Sequence, residues 1–296
     1  MLCIVGPTAS GKSALAVELA RTFDGEIVSA DSRQVYRGLD IGSGKITKQE
    51  MCGIPHHLLD VASPTRTFTA HDFAKKARVA IADIEARHKL PIVVGGTGFY
   101  IDALVGRIPL SNVPINTKLR AQLEKIPTEK LLARLRKINP ARADTIEPHN
   151  KRRIIRALEI AHTPHAAAPS APPPYEILWL GIAPPFTTLE EKITARLYSR
   201  IRVGMIAEAR RLRADGLSFR RMESLGLEYR SLARLLQEKI SREEFETELV
   251  RAIRRFAKRQ ITYWRRNTSI HWFDPSVPST IIDTVATWLL VDNKPT

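Results

Sequence analysis

The run Gly6, Pro7, Thr8, Ala9, Ser10, Gly11, Lys12, Ser13 fits G-x-x-x-x-G-K-[ST], a spacing whose chemistry is the holding of a phosphate group. In such a loop, backbone N–H groups and a helix N-terminus point at the anion. Lys12 adds a charge, and the Ser13 hydroxyl is suited to a magnesium ion. The motif does not say which phosphate compound is bound, a nucleotide included. Two further groups could act beside it. Asp31, in Asp31-Ser32-Arg33-Gln34, is a carboxylate that could serve as a general base or, equally, cap the start of a following helix. Thr97, in Gly95-Gly96-Thr97-Gly98, sets a hydroxyl in a turn whose glycines let backbone approach a ligand.

The elements around these residues predict where they sit. Leu2 to Val5 reads as a strand running into the loop, and Ala14 to Arg21 repeats apolar residues at helical spacing. Further strand candidates are Glu26 to Ala30, ending at Asp31, His57 to Val61, and Pro91 to Val94, ending at the glycine-rich turn. Residues 70–89 predict a long amphipathic helix, and another begins at Phe99. Strands alternating with helices imply an α/β fold with a parallel sheet flanked by helices on both faces. In such sheets ligands lie at the carboxyl ends of the strands, so the loop, Asp31 and Thr97 are expected to converge.

From Val113 the texture turns polar, basic and helical, with no strand candidate before Ile177 to Ile182. The expected organisation is a first core segment, 1–113, a helical insertion, 114–174, and a second core segment, 175–296, with basic C-terminal helices. The Ala- and Pro-rich end of the insertion, 163–174, reads as a loop. Residues 189–267 read as helical, broken near Gly216 and Gly226.

Charge narrows the class of partner. Across 296 residues, 46 Lys and Arg against 31 Asp and Glu give +15 and predict a polyanionic partner. Arg251, Arg254, Arg255, Lys258 and Arg259 recur on one helical face with almost no acidic residues nearby, while Val250, Ile253, Ala257, Ile261 and Trp264 lie towards another. Arg152, Arg153 and Arg156 are likewise opposed to Ile154, Ile155 and Leu158. No apolar run is long enough to span a bilayer, no signal peptide pattern opens the chain, and Cys3 and Cys52 form no metal or disulfide spacing. A cytoplasmic protein without membrane association is expected. With no aromatic interface stripe, a monomer is the default.

Taken in order, GPTASGKS at 6–13, DSRQVYRGLDIGSGK at 31–45, HHLLD at 56–60, GGTGFY at 95–100, NKRRIIRALE at 150–159 and RRFAKRQITYWRR at 254–266 resemble the tRNA dimethylallyltransferase family. The resemblance implies a P-loop NTPase-like core that binds dimethylallyl diphosphate with magnesium where a nucleoside kinase would bind a nucleotide. It implies that the exocyclic amine of the adenosine 3′ of the tRNA anticodon attacks the allyl carbon and that pyrophosphate leaves. By position, Asp31 would take the amine proton and Thr97 would contact the donor near the bond that breaks. Lys12, Ser13 with the metal, and Arg196 would neutralise pyrophosphate. RNA contacts would come from Asp31, Ser32, Arg33, Gln34, Thr97 and Arg120, from Arg152, Arg153, Ile154, Ile155 and Arg156, and from Arg255, Lys258 and Arg259. The insertion would meet the anticodon stem-loop. The chain departs from the family pattern at Tyr198, where an aspartate is frequent, and at Ser43-Gly44-Lys45-Ile46, where Thr-Ala-Lys-Pro is usual.

Three other readings are weighed against it. A small-molecule P-loop kinase shares the loop but has no use for the basic C-terminal helix. An enzyme prenylating free adenylate has no use for the insertion or the +15 charge. A non-catalytic RNA-binding protein has no use for Lys12, Ser13, Asp31 and Thr97 together.

Overall fold

The computed structural model describes residues 1–108, 111, 113–163, 175–274 and 278–292, and divides into two compact units, Met1–Ile108 with Pro173–Thr296, and Pro109–Pro172. The chain opens with β1 (Leu2–Val5), α1 (Lys12–Thr22), β2 (Gly25–Ser29), α2 (Lys48–Met51) and β3 (His56–His57). It continues with α3 (Ala70–Ala86), β4 (Leu90–Gly95) and α4 (Gly98–Leu104). The inserted unit holds α5 (Thr117–Leu123), α6 (Thr128–Ile138), α7 (Pro140–Thr145) and α8 (Lys151–Ala161). The core resumes with β5 (Leu178–Ile182), α9 (Phe186–Arg202), α10 (Met205–Ala214), α11 (Phe219–Ser224), α12 (Leu227–Leu236), α13 (Arg242–Trp264), β6 (Ile270–Phe273) and α14 (Pro278–Asp292).

The sheet runs β3-β2-β4-β1-β5-β6, every pairing parallel. β1, buried at every residue, lies near the middle, with Val5 opposite Gly95 on one side and Gly181 on the other. A strand covered on both faces must be apolar throughout, and the Leu-Cys-Ile-Val sequence satisfies that. Leu2, Ile4, Leu19, Ile27, Ile92, Leu180 and Ile182 form one core beneath α1 and α14. Truncating Leu19 to alanine there would cost about 2–5 kcal/mol. Helix starts are set by side chains. Thr69 and Asp72 make a capping box at α3, and Ser241 and Glu244 make another at α13.

The strand expected at 57–61 ends at His57, because Leu58 and Asp60 take φ of 64° and 57°, which no strand accommodates. The helical stretch 189–267 breaks at Gly204, φ 109°, and again around Glu238, φ 55°, besides the glycines named above. β6 adds the sixth strand of the sheet, and neither it nor α14 was among the elements expected from sequence. Most of the Ala- and Pro-rich segment at 163–174 lies outside the described residues.

The inserted unit has its own core of Leu123, Leu131, Leu135, Ile154, Ile155 and Leu158. Among the described residues, no helix is long and apolar enough to cross a membrane.

Candidate active site

Sterics shape the phosphate loop. A Cβ on Gly6, φ 152°, would sit 2.3 Å from the Ile182 carbonyl oxygen, so a larger residue would push β1 away from β5. Ala9 and Gly11 are left-handed, φ 63° and 93°, which turns successive amides inward ahead of α1. Pro7 and Ser10 are buried, and among the described residues Ser10 Oγ has no hydrogen-bond partner. Lys12 Nζ donates across the loop to the Pro7 carbonyl at 3.0 Å. Burial lowers the Lys12 pKa to about 8; nearby Asp31 opposes the shift and Arg196 adds to it. The electrostatics therefore bring loop, carboxylate and arginine together at an ammonium that an anion would stabilise.

Asp31 follows β2. Its Oδ1 accepts N–H bonds from Arg33 (2.8 Å) and Gln34 (3.3 Å), so the carboxylate caps a turn and not a helix. Among the described residues Oδ2 accepts no hydrogen bond. Thr97 Oγ1 accepts the Ser32 N–H at 3.1 Å, and the Thr97 N–H reaches the Ala30 carbonyl, which ties the end of β2 to the end of β4. Among the described residues the Thr97 hydroxyl donates no hydrogen bond, so its proton is available to a ligand. The close approach at that seam needs glycine, since a Cβ on Gly95 would lie 2.2 Å from the Ala30 oxygen.

Arg196 is placed by a loop and, among the described residues, by no ion pair. Its Nη2 donates to the Gly44 carbonyl at 2.8 Å, the oxygen that also accepts from Gln34 Nε2 at 3.2 Å. Gly44 is left-handed, φ 61°, and a Cβ there would lie 2.7 Å from Arg196 Nη2. The departure at this position thus gives room to the arginine. The loop is pinned by buried Glu208, which accepts the N–H of Asp40 (2.9 Å), Ile41 (2.7 Å) and Gly42 (2.9 Å) and the Tyr229 hydroxyl (2.7 Å). Burial first, and then Arg200, lower the Arg196 pKa.

These groups line one cavity of about 530 Å³. It gathers Thr8, Lys12, Ser13, Asp31, Ser32, Arg33, Gln34, Thr97, Arg196 and Arg259, with Gly6, Pro7, Ala9, Ser10 and Gly11 shaping the loop behind them. The volume suits a small molecule. On the same helix as Arg259, Arg255 is exposed and Lys258 lies 4.6 Å over the Phe186 ring, both outside the lining. Arg254 is turned towards Glu190, 3.7 Å away.

In the inserted unit, Arg152 and Arg153 are exposed, Arg153 3.4 Å from Glu147. Arg120 and Arg156 are committed to the buried Glu159 carboxylate, with Arg120 reaching it at 2.8 and 3.1 Å. Ile154 and Ile155 are 0% and 3% exposed and belong to the unit's core.

Sequence reasoning missed Gln260, Tyr263 and His56, which also line the cavity. The signal for Gln260 was present. Ile253, Ala257, Gln260 and Trp264 recur at helical spacing and are all buried, so an amide stands on a face that should be apolar.

The sequence model of the IPP transferase family matches residues 34–267. Over 280 residues the chain is 43% identical to tRNA dimethylallyltransferase 1 of Geotalea daltonii, covering 93% of this chain and 90% of that one. It is 41% identical to tRNA dimethylallyltransferase 2 of Syntrophotalea carbinolica, covering 93% and 94%. Its fold superposes with a TM-score of 0.74 on the full-length tRNA isopentenylpyrophosphate transferase of Bacillus halodurans, at 35% identity over 97% of this chain and 95% of the other. A eukaryotic dimethylallyltransferase acting on tRNA shares the fold with a TM-score of 0.85 at 24% identity, covering 100% of this chain and 80% of the other.

Proposed function

We propose a reaction from one premise: the chain belongs to the IPP transferase family. It is a tRNA dimethylallyltransferase. It moves the dimethylallyl group of dimethylallyl diphosphate to the exocyclic amine of the adenosine 3′ of the anticodon, giving N6-dimethylallyladenosine and pyrophosphate. The observation that carries the reading is the single cavity joining the phosphate loop to Asp31, Thr97 and Arg196.

In this reading the diphosphate lies on the loop amides, with the ammonium of Lys12 and the guanidinium of Arg196 against its oxygens. As the carbon–oxygen bond breaks, its electron pair leaves with pyrophosphate, whose growing charge fixed cations stabilise without reorganisation. The adenine amine forms the new carbon–nitrogen bond and gives up a proton to Asp31 Oδ2, the oxygen not engaged in the turn. Thr97 donates its hydroxyl proton to the phosphate end of the donor. An adenine amine is a weak nucleophile, so orientation by Ser32, Arg33 and Gln34 contributes as much as the base. The base must leave its stack to enter a cavity of this kind.

Magnesium fits the donor set. Among the described residues no cluster of three or more His, Cys, Asp or Glu could hold a metal alone, while the Ser13 hydroxyl lines the cavity beside the loop. One protein oxygen plus substrate phosphates and water is the coordination magnesium prefers. Ser13 would hold the ion, which when bound neutralises pyrophosphate charge. The inserted unit contacts the anticodon stem-loop through exposed Arg152 and Arg153, and Arg255, Lys258 and Arg259 take phosphates on the core unit.

The test is incubation of the protein with magnesium, radiolabelled dimethylallyl diphosphate and either unmodified tRNA or AMP. Label in tRNA and not in AMP is the expected result. Label in AMP alone would overturn the RNA substrate, and label in neither would overturn the reaction.

A further inference from the structure

The side chain of Gln260 sits between the two turns that the proposed reaction needs held in register. Its residue is 7% exposed on α13. Oε1 accepts the N–H of Thr8, in the phosphate loop, at 2.9 Å, and Nε2 donates to the Gly96 carbonyl, in the turn carrying Thr97, at 2.9 Å. The fit is close, because a Cβ on Gly96 would lie 2.2 Å from Gln260 Nε2. One turn of helix further, the Tyr263 ring closes on Gly98, where a Cβ would meet its edge at 2.1 Å. Its hydroxyl donates to Asp102 of α4.

An amide is suited to this place because it offers a donor and an acceptor on one rigid plane without charge. A carboxylate would accept from Thr8 but would face the Gly96 oxygen with a second acceptor, and would set a negative charge beside an anion-binding loop. An apolar side chain of the same length would leave a buried N–H and a buried carbonyl unmet. The bond to Thr8 also withdraws that N–H from the amides available to a phosphate.

We propose that Gln260 is a positioning residue for the transfer: its amide sets the spacing between the phosphate loop and Thr97, and so the alignment of the breaking bond with the groups that act on it. The proposal rests on the reading of the reaction given above. It predicts a cost in turnover greater than the cost in binding, since misplacement by about 1 Å can slow an aligned reaction about 100-fold.

The experiment compares wild type with Gln260→Met and Gln260→Glu, measuring label transfer to tRNA, donor affinity by calorimetry, thermal midpoint, and hydrogen exchange in peptides covering Thr8 and residues 95–98. Transfer by wild type tests the reaction itself; the variants and the exchange test the clamp. For Gln260→Met, kcat is expected to fall about 10- to 100-fold with donor affinity changed less than about threefold, and exchange to rise in both turns together. Gln260→Glu is expected to be slower still, with donor binding weakened. A second pair separates position from folding. Gly96→Ala drives a methyl into Gln260 and should lower the thermal midpoint. Gly96→Ala with Gln260→Ala removes the clash and should recover part of the midpoint lost in Gly96→Ala, the unmet Thr8 N–H and Gly96 carbonyl holding it below wild type, while staying slow. Unchanged exchange at both turns in Gln260→Met, an unchanged kcat, or a double variant that regains turnover with stability would each overturn the proposal.

Discussion

In the proposed reaction Asp31 divides its two oxygens between structure and chemistry, and that division decides which substitution is informative. Asp31→Ala would remove both the turn cap and the proton acceptor. Asp31→Asn keeps an oxygen for the Arg33 and Gln34 amides and cannot take a proton. Single-turnover transfer in Asp31→Asn should fall about 10²- to 10⁴-fold, the usual share of a general base, with tRNA and donor affinities near wild type. An unchanged single-turnover rate would remove Asp31 as the base. Glu26 makes a different prediction. It is buried and accepts both terminal nitrogens of Arg87 and, at 2.8 Å, His57 Nε2; the Arg87 bonds above all lower its pKa to about 2. A carboxylate depressed in the folded state stabilises the protein above its unfolded pKa, 4.5, and loses that contribution as pH falls towards 2. Glu26→Gln should therefore be less stable at neutral pH and show a shallower loss of stability between those limits, read by urea unfolding at a series of pH values. Asp31, Thr97 and the loop could be found from sequence because a motif or a strand end announced each. Gln260 could not be assigned its partners, since they lie 252 and 164 residues away, and only the helix packing brings them to it.

At the scale of elements, alternating strand and helix patterns were visible wherever a strand was wholly apolar, as with Leu2 to Val5 and Leu178 to Ile182. β3 was misjudged by its length, because backbone angles at Leu58 and Asp60 leave no mark in hydrophobic pattern. β6 was missed because its Ile-His-Trp-Phe sequence has one buried residue, Ile270, and borrows its order from pairing with β5. The 40–45 loop was legible as part of a segment resembling the family, with a departure at its end, but not as the element that positions Arg196. Its organiser, Glu208, is a buried carboxylate on a helix whose Arg210 and Arg211 are exposed and whose Arg213 is half-buried, and sequence shows it as one acid among many. Glu208→Ala should reduce stability by about 2–4 kcal/mol, since three backbone amides and a buried tyrosine hydroxyl lose their acceptor. It should also raise the donor KM more than it lowers kcat, because a loosened Gly44 carbonyl leaves Arg196 less ordered against the leaving group. Unfolding by urea and initial rates at varied donor read these together; a stability loss with unchanged KM would separate the loop from Arg196.

For the molecule as a whole, charge is distributed unevenly, and that unevenness separates the two substrates. Residues 109–172 carry 12 Lys and Arg against 5 Asp and Glu, a net +7, out of +15 for the chain. Much of that charge is not neutralised within the unit. Arg120 and Arg156 satisfy Glu159, whereas Arg152 is exposed and, among the described residues, forms no ion pair. A small diphosphate in a cavity meets a few near cations, whereas an RNA stem meets many surface ones, each displacing counterions from the backbone. Replacing Arg152, Arg153 and Arg255 with alanine should therefore weaken tRNA binding and flatten the plot of log affinity against log salt by about one unit of slope for each phosphate no longer neutralised. Donor affinity should hold within about twofold across the same series, because none of the three lines the cavity. If the slope survives all three replacements, the RNA lies on another face and the basic helices are solvated surface. If it falls while AMP is still not prenylated, then phosphate binding far from the cavity supplies the affinity, and the cavity supplies the selection of a base within RNA.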